Sequence, residues 1–351
     1  MLRIPRRQAL LALATTPLLH RASGGVVADA RAAVAPAWAS GFGNLDFGRE
    51  YERLVSDQTN YLRRRTDVFT SFFIKRGSLA EANAYLPDKG RLLRQLTGAG
   101  IRVAQVVPLV MNNDGGNIAK ILRPSDPLHA GYVEFWKRLG RELRLSGARA
   151  PIVRVGHEMN LKGSYQWSYE NPLLRAPDFV KLYRLAANAI RSEAPDAVRC
   201  WNPGKRTVRG HVDELWPGDS YVDLVGLDFY DNGVGGYVVD EAAWKRLANK
   251  VEDGNPIGVY AWYNYAKARG KRFAVPEWGI TDPKVSGVPT DRPVFIRKMH
   301  EFFSYVAARG DLVFESYYNY AYLGGDKHQL YPVLAKHQQS SAAHQQLFGA
   351  R

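Results

Sequence analysis

Pro151-Ile152-Val153-Arg154-Val155-Gly156-His157-Glu158-Met159-Asn160 is a short β-rich run that gives way to charged and polar residues. It predicts a strand over Pro151–His157 with Glu158 at its end. A second run of the same kind, Arg272-Phe273-Ala274-Val275-Pro276-Glu277, also ends on a glutamate and continues into Trp278-Gly279. Working outward from these two, further strands are predicted at Trp38–Leu45, Val68–Ile74, Arg102–Val110, Val198–Asn202, Val222–Tyr230 and Leu312–Tyr320. Longer amphipathic stretches alternate with them: Arg49–Arg64, Lys89–Thr97, Leu128–Leu145, Asp178–Ser192, Glu241–Val251, Val259–Arg269, Pro293–Arg309 and Ala335–Leu347. Asp126-Pro127 and Pro177-Asp178 are helix-start signals, and Gly98, Gly100, Gly147, Gly270 and Gly310 stand where helices should stop. Eight strands alternating with helices predict the α/β class with a parallel sheet, closed as a (β/α)8 barrel.

No composition break or Pro/Gly/Ser-rich linker interrupts the pattern, so one barrel domain over residues 31–351 is expected. Residues 1–30 are set apart. Arg3, Arg6 and Arg7 precede a short apolar stretch, Ala9–Leu19, and Ala28-Asp29-Ala30 resembles a signal-peptidase site. The apolar stretch falls short of the roughly 20 residues a membrane span needs. This segment predicts export to the periplasm or beyond with no membrane anchor, and the Arg6-Arg7 pair hints at a twin-arginine route.

The chain carries +14, and loss of four Arg and one Asp with residues 1–30 would leave +11. Such a surface attracts anions. The cations are dispersed, apart from Arg63-Arg64-Arg65, and no nucleic-acid motif accompanies them. An acidic polysaccharide is therefore a partner in keeping with the charge, and nucleic acid is not. A monomer is expected. Cys200 is the sole cysteine, so no intramolecular disulfide can form and core burial must hold the fold.

In a barrel of this kind the chemistry gathers at the C-terminal ends of the strands. Glu158 and Glu277 end the fourth and seventh predicted strands and lie 119 residues apart, about three βα units, so one rim should carry both. Two carboxyl groups facing one cavity suit glycoside hydrolysis, where one protonates the leaving oxygen and the other attacks the anomeric carbon. Other chemistries fail on spacing. A zincin helix needs His at position 161, which is Leu161. Gly218-Asp219-Ser220-Tyr221-Val222 lacks the second glycine of a nucleophile elbow. Gly41-Phe42-Gly43 leads to Asp46 where a dinucleotide fingerprint needs glycine. No metal or organic cofactor is implied.

The run Arg154-x-x-His157-Glu158-Met159-Asn160 resembles the acid/base signature of glycoside hydrolase family 26, which contains many β-mannanases. Tyr221-Val222-Asp223-x-Val225-Gly226-x-Asp228-x-Tyr230 and Glu277-Trp278-Gly279 continue the likeness. The resemblance implies a retaining endo-β-glycanase acting on β-mannan or a bacterial exopolysaccharide, with Glu158 as acid/base and Glu277 as nucleophile. Tyr230 would then hydrogen-bond the nucleophile. Arg154, His157 and Asn160 would orient carboxylates or bind sugar, with Trp167, Trp201, Trp278 and Tyr318 as further substrate-binding residues. Leu161–Trp167 departs from the family's pattern, as do the tyrosines of Phe314–Tyr320, and these changes bear on the substrate rather than on the glutamates. Two other readings use the same residues: a catalytically silent carbohydrate-binding barrel, and a transglycosylase that excludes water from the second step.

Overall fold

Eight strands, each paired in parallel with its neighbours in chain order, close into a barrel. They are β1 (Ala39–Gly43), β2 (Val68–Phe72), β3 (Arg102–Val107), β4 (Ile152–Val155), β5 (Val198–Trp201), β6 (Leu224–Tyr230), β7 (Arg272–Gly279) and β8 (Leu312–Tyr318). The computed structural model describes residues 38–44, 51–161, 165–168, 171, 174–232, 236–320, 328–331 and 335–349, all within one unit, Val34–Arg351. The proposed signal segment 1–30 and the loop residues 162–164 lie outside the described residues.

Side chains alternate across each strand, so every second residue faces the barrel axis. Val68, Ala104, Ile152, Cys200, Leu224, Ala274 and Phe314, one from each of seven strands, meet there as a packed layer. Residues of opposite parity face outward against the helices in a larger apolar layer.

The longer helices are α1 (Tyr51–Leu62), α2 (Leu79–Gly98), α3 (Pro127–Leu145), α4 (Ala176–Glu193), α5 (Glu241–Ala248), α6 (Val259–Ala268), α7 (Pro293–Ala307) and α8 (Gln338–Phe348), with a single helical turn at Ile118–Ile121. In α3, Asp126 caps the N-terminus by accepting from the Leu128 amide at 3.0 Å, and Pro127 follows in the first turn. Tyr132, Phe135, Trp136, Leu139 and Leu143 recur at helical spacing and bury one face. Each such side chain contributes about 1.5–3 kcal/mol on burial.

Most boundaries fall within about three residues of expectation, and two of the differences have a local cause. Helix α2 begins ten residues before Lys89, because Pro87 stands inside it rather than ahead of it. Ser78 caps the start by accepting from the Glu81 amide, while Glu81 returns to the Gly77 amide. Pro87 has no N–H for the Asn83 carbonyl, and Arg138 of α3 donates to that oxygen at 3.4 Å and to the Asn83 side chain at 2.8 Å. Helix α5 stops at Ala248 rather than Val251. Val251–Glu252 instead pairs with Asn255–Pro256 across Asp253-Gly254, whose φ values of 50° and 74° make the tight turn of a small ribbon. Both α5 and α6 follow β6. Between β5 and β6 the described chain forms only short 3₁₀ turns, Val212–Leu215 and Asp219–Tyr221.

Candidate active site

Strand β4 stops at Val155, and the backbone then folds back through two left-handed residues, Gly156 (φ 54°) and Glu158 (φ 53°). Gly156 is required: a Cβ there would lie 2.8 Å from Leu109 Cβ. Glu158 holds a conformation that costs a residue with a Cβ about 1 kcal/mol or more. Its amide is tied to the Asn202 carbonyl at 2.7 Å, which fixes the turn. Glu158 therefore sits three residues past its strand, in a strained turn over the barrel mouth.

Glu277 reaches the same mouth by another device. While β6 advances two residues from Gly226 to Asp228, β7 advances three from Ala274 to Glu277. On its other side, β8 advances two from Glu315 to Tyr317 while β7 advances three from Val275 to Trp278. The extra residue is a bulge around Pro276, a residue that cannot donate to a ladder and is tolerated in sheets at such irregularities. Strict alternation from the inward Ala274 would point Glu277 outward. The bulge reverses the parity and aims it inward.

Both carboxylate oxygens of Glu277 have donors. Arg154 Nη2 donates to Oε1 at 2.6 Å, and the Tyr230 hydroxyl donates to Oε2 at 3.1 Å. The same guanidinium nitrogen lies 2.8 and 2.6 Å from the two oxygens of Asp228, and Nε donates to Asn202 Oδ1 at 2.6 Å. Gly226 leaves room for this, since a Cβ there would lie 2.7 Å from Asn202 Oδ1 and from Cys200 Sγ. Burial opposes the charge on Arg154, but Asp228 and Glu277 outweigh it and raise its pKa above the usual arginine value.

Glu158 is half-buried and has the opposite tendency. Desolvation first, then the charge of Glu277, pushes its pKa up to about 8, against a smaller lowering by Arg154. Burial, with Glu277 next, holds the Tyr230 phenol well above its ordinary pKa, so it remains a donor. Burial and then the Arg154 and Arg76 charges keep His157 well below the imidazole range, hence neutral near pH 7.

A cavity of about 450 Å³, within the range of small-ligand sites, opens over these groups. One wall is formed by His157, Tyr165 and Trp167. The Tyr165 and Trp167 rings stack at 4.6 Å, and Trp167 Nε1 donates to the His157 carbonyl at 2.8 Å. The other wall is Tyr230, Tyr318 and His328, with Tyr230 4.7 Å from the His328 ring. Phe72 bridges the two, 6.1 Å from His157 and 5.6 Å from Tyr318.

Among the residues expected at the site, Glu158, Glu277, His157, Trp167, Tyr230 and Tyr318 line this cavity. Four do not. Trp201 lies between the inward-facing Cys200 and Asn202, so it faces outward, where its indole donates to the Leu215 carbonyl and its ring packs on Trp216 and Tyr265. Trp278 follows the inward Glu277 and also faces outward, bonded at 2.6 Å to the buried Glu315 and packed on Tyr317, Phe303 and Phe348. Asn160 clamps a loop, donating to the Gly204 carbonyl at 2.9 Å and accepting from its amide at 2.7 Å. Arg154 is fully buried beneath the carboxylates and reaches them, not the cavity. Trp167 is also fully buried, so Tyr165, half-exposed in front of it, is the ring that wall presents.

Asp228, Asn202, Tyr165, Arg76 and His328 were given no site role from sequence. For two of them a signal existed. Asp228 lies two residues before Tyr230 and Asn202 two after Cys200, so each shares an inward face with its neighbour.

A closed (β/α)8 barrel with two glutamates facing one cavity at its rim is the framework of a glycoside hydrolase, and that is the class of this chain. The family it matches is glycosyl hydrolase family 26, whose model aligns with residues 139–257. That stretch includes Glu158, Asp228 and Tyr230, and Glu277 lies beyond it. Among solved structures, Bacillus subtilis mannanase BCman is similar at 15% identity, covering 89% of this chain and 86% of that one, with a TM-score of 0.61. The catalytic domain of a family-26 endo-β-1,4-mannanase from Bacillus sp. JAMB-750 is 16% identical over 88% of this chain and 86% of its own, with a TM-score of 0.58. A modular endo-β-1,4-mannanase from Cellulomonas fimi is 18% identical over 88% and 71%, with a TM-score of 0.63. Likeness at such identities shows the shared barrel. No curated protein sequence matches significantly.

Proposed function

We propose that the protein is a retaining endo-β-glycanase that cleaves β-mannan or a bacterial exopolysaccharide by double displacement, with Glu277 as nucleophile and Glu158 as acid/base. One observation carries this reading. Both oxygens of Glu277 are held by donors that favour its ionised form, while Glu158, in the same cavity, keeps its proton to about pH 8. Neighbouring carboxyls in unlike surroundings supply an acid and a base together.

In the first step Glu158 protonates the glycosidic oxygen as the Glu277 carboxylate attacks the anomeric carbon, forming a glycosyl ester and releasing the leaving sugar. Esterification removes the negative charge of Glu277, which is one of the two causes holding the Glu158 pKa up. Glu158, now a carboxylate with a lowered pKa, takes a proton from water, which attacks the ester and frees Glu277. Tyr230 and Arg154 remain on the nucleophile's side and favour the return of its charge.

The substrate assignment is supported by the family match and by structural neighbours described as endo-β-1,4-mannanases. A panel of β-linked polysaccharides with reducing-end detection tests it, with Glu277→Gln as control and proton NMR of the first product. The β-anomer should appear first, and an α-anomer appearing first overturns the double displacement. We also place the mature enzyme outside the cytoplasm, on the strength of the Arg3–Ala30 segment. Among the described residues no helix is long and apolar enough to cross a membrane. N-terminal sequencing of protein recovered from the periplasm or medium should show residues 1–30 removed, and intact Met1 on cytoplasmic protein would contradict it.

A further inference from the structure

Arg76 follows β2 on the C-terminal side of the barrel and lines the cavity beside Tyr165 and His157. Its guanidinium lies over the Tyr165 ring, 5.0 Å from the centroid. That contact orients the charge without neutralising it. Among the described residues the guanidinium makes no ion pair and no hydrogen bond. The nearest acid in sequence, Glu81, is already engaged by the Gly77 amide at 2.9 Å and by Lys75 at 4.0 Å.

The other basic groups near the cavity are occupied. Arg154 is shared between Glu277 and Asp228, and the Lys205 ammonium donates to the Tyr230 and Asn232 carbonyls. Arg76 is thus an oriented cation with open donors, in a chain whose net charge of +14 draws anions toward it. A planar fork of donors matches a carboxylate bidentately, whereas sugar hydroxyls use only part of it.

We propose that Arg76 forms a subsite for a carboxylate-bearing sugar, so that the β-glycan cleaved here carries a uronate unit against the Arg76–Tyr165 wall. The inference rests on the glycan-cleaving reading of the same cavity and names the substrate's charge. Burying a carboxylate oxygen against this guanidinium should favour an acidic sugar over its neutral counterpart by roughly tenfold to a hundredfold.

The test uses matched probes differing only at C6: β-1,4-linked mannuronate and glucuronate hexamers, each against its carboxyl-reduced form. Binding is measured calorimetrically to Glu277→Gln at low salt, so that turnover does not intervene. At least one acidic hexamer should bind about ten times or more tighter than its reduced form. Adding Arg76→Gln should bring that ratio close to one, and Arg76→Lys should keep part of it. Equal binding of every acidic hexamer and its reduced form overturns the subsite, as does a preference that survives Arg76→Gln in protein with an unchanged melting temperature. The two readings fail separately. Cleavage of neutral polymers by the unmodified enzyme with no acidic preference removes the subsite alone. An Arg76-dependent preference with no polymer cleaved removes the hydrolase alone.

Discussion

Arg154 on β4 and Glu277 on β7, 123 residues apart in sequence, meet at 2.6 Å inside the barrel mouth. The same guanidinium serves Asp228, so one buried cation faces two buried carboxylates. A buried ion pair of this kind is weak support for stability, since desolvation of the charges offsets their attraction. Its effect here is on proton distribution. Burial and then the Glu277 charge push the Glu158 pKa up to about 8 against a smaller lowering by Arg154, and burial likewise raises Asp228 well above the usual carboxylate range despite its contact with Arg154.

The basic limb of the kcat/KM profile should accordingly fall near pH 8, where the free enzyme loses the Glu158 proton. On an aryl β-glycoside with a good leaving group, Glu158→Ala should retain appreciable turnover and lose that limb, because no proton is then needed at the leaving oxygen. Glu277→Gln should lose nearly all activity on every substrate. Equal collapse of both variants on the aryl glycoside counts against the assignment of roles.

Tyr230→Phe removes the 3.1 Å donor to Glu277 Oε2 while keeping the ring that packs on Tyr318 and His328. The carboxylate loses a hydrogen-bond donor, so kcat/KM should fall. A hydrogen bond to a charged group contributes about 1.5–3 kcal/mol, which corresponds to roughly tenfold to a hundredfold in rate. A comparison of kcat/KM with the parent enzyme checks this, and full activity removes Tyr230 from the mechanism.

The raised pKa of Glu158 has a cost for stability, and its sign can be worked out. Between the unfolded carboxyl value of about 4.3 and the folded value of about 8, the native state holds a proton that the unfolded chain has released. Raising the pH through that window therefore favours unfolding. Glu158→Gln stays neutral throughout, so it should melt higher than the parent at pH 7–8, and the gain should vanish by about pH 4. Melting curves at the two pH values decide it; a gain that is the same at both would place its origin elsewhere.

Trp201 and Tyr165 should behave as opposites. Trp201→Ala opens a cavity in the outer apolar layer and should cost about 3–5 kcal/mol of stability, with KM unchanged while the variant stays folded. Tyr165→Ala removes a half-exposed ring from the cavity wall and should raise KM with a smaller loss of stability. Denaturant melts and KM on one substrate separate the two, and a raised KM for folded Trp201→Ala would return that ring to the site.

The barrel was legible because β-rich runs and amphipathic stretches alternate in a single order, and both glutamates stand close to strand ends. Orientation was harder to read. Adjacent residues on a strand face opposite ways, so Glu277 and Trp278 could not both face the cavity, yet only the bulge at Pro276 decides which one does. Trp201 is excluded by the same alternation, which its neighbours Cys200 and Asn202 make readable in hindsight. Arg154 was read as a group that orients carboxylates or binds sugar, and only the folded register separates the two. It brings β4, β5, β6 and β7 side chains onto one guanidinium. Arg76 carries no strand pattern or motif, and its place in the cavity follows from how the loop after β2 meets Tyr165.

Cys200, in the innermost packed layer between Ile152 and Leu224, is the only thiol among 351 residues and is fully shielded. Burial pushes its pKa up to about 12, so in the closed barrel it is neither reachable nor ionised. A thiol-reactive dye therefore has one target, and it can react only when the staves part. Its labelling rate in plain buffer becomes a stopwatch on the opening of the barrel, readable without engineered probes and without denaturant.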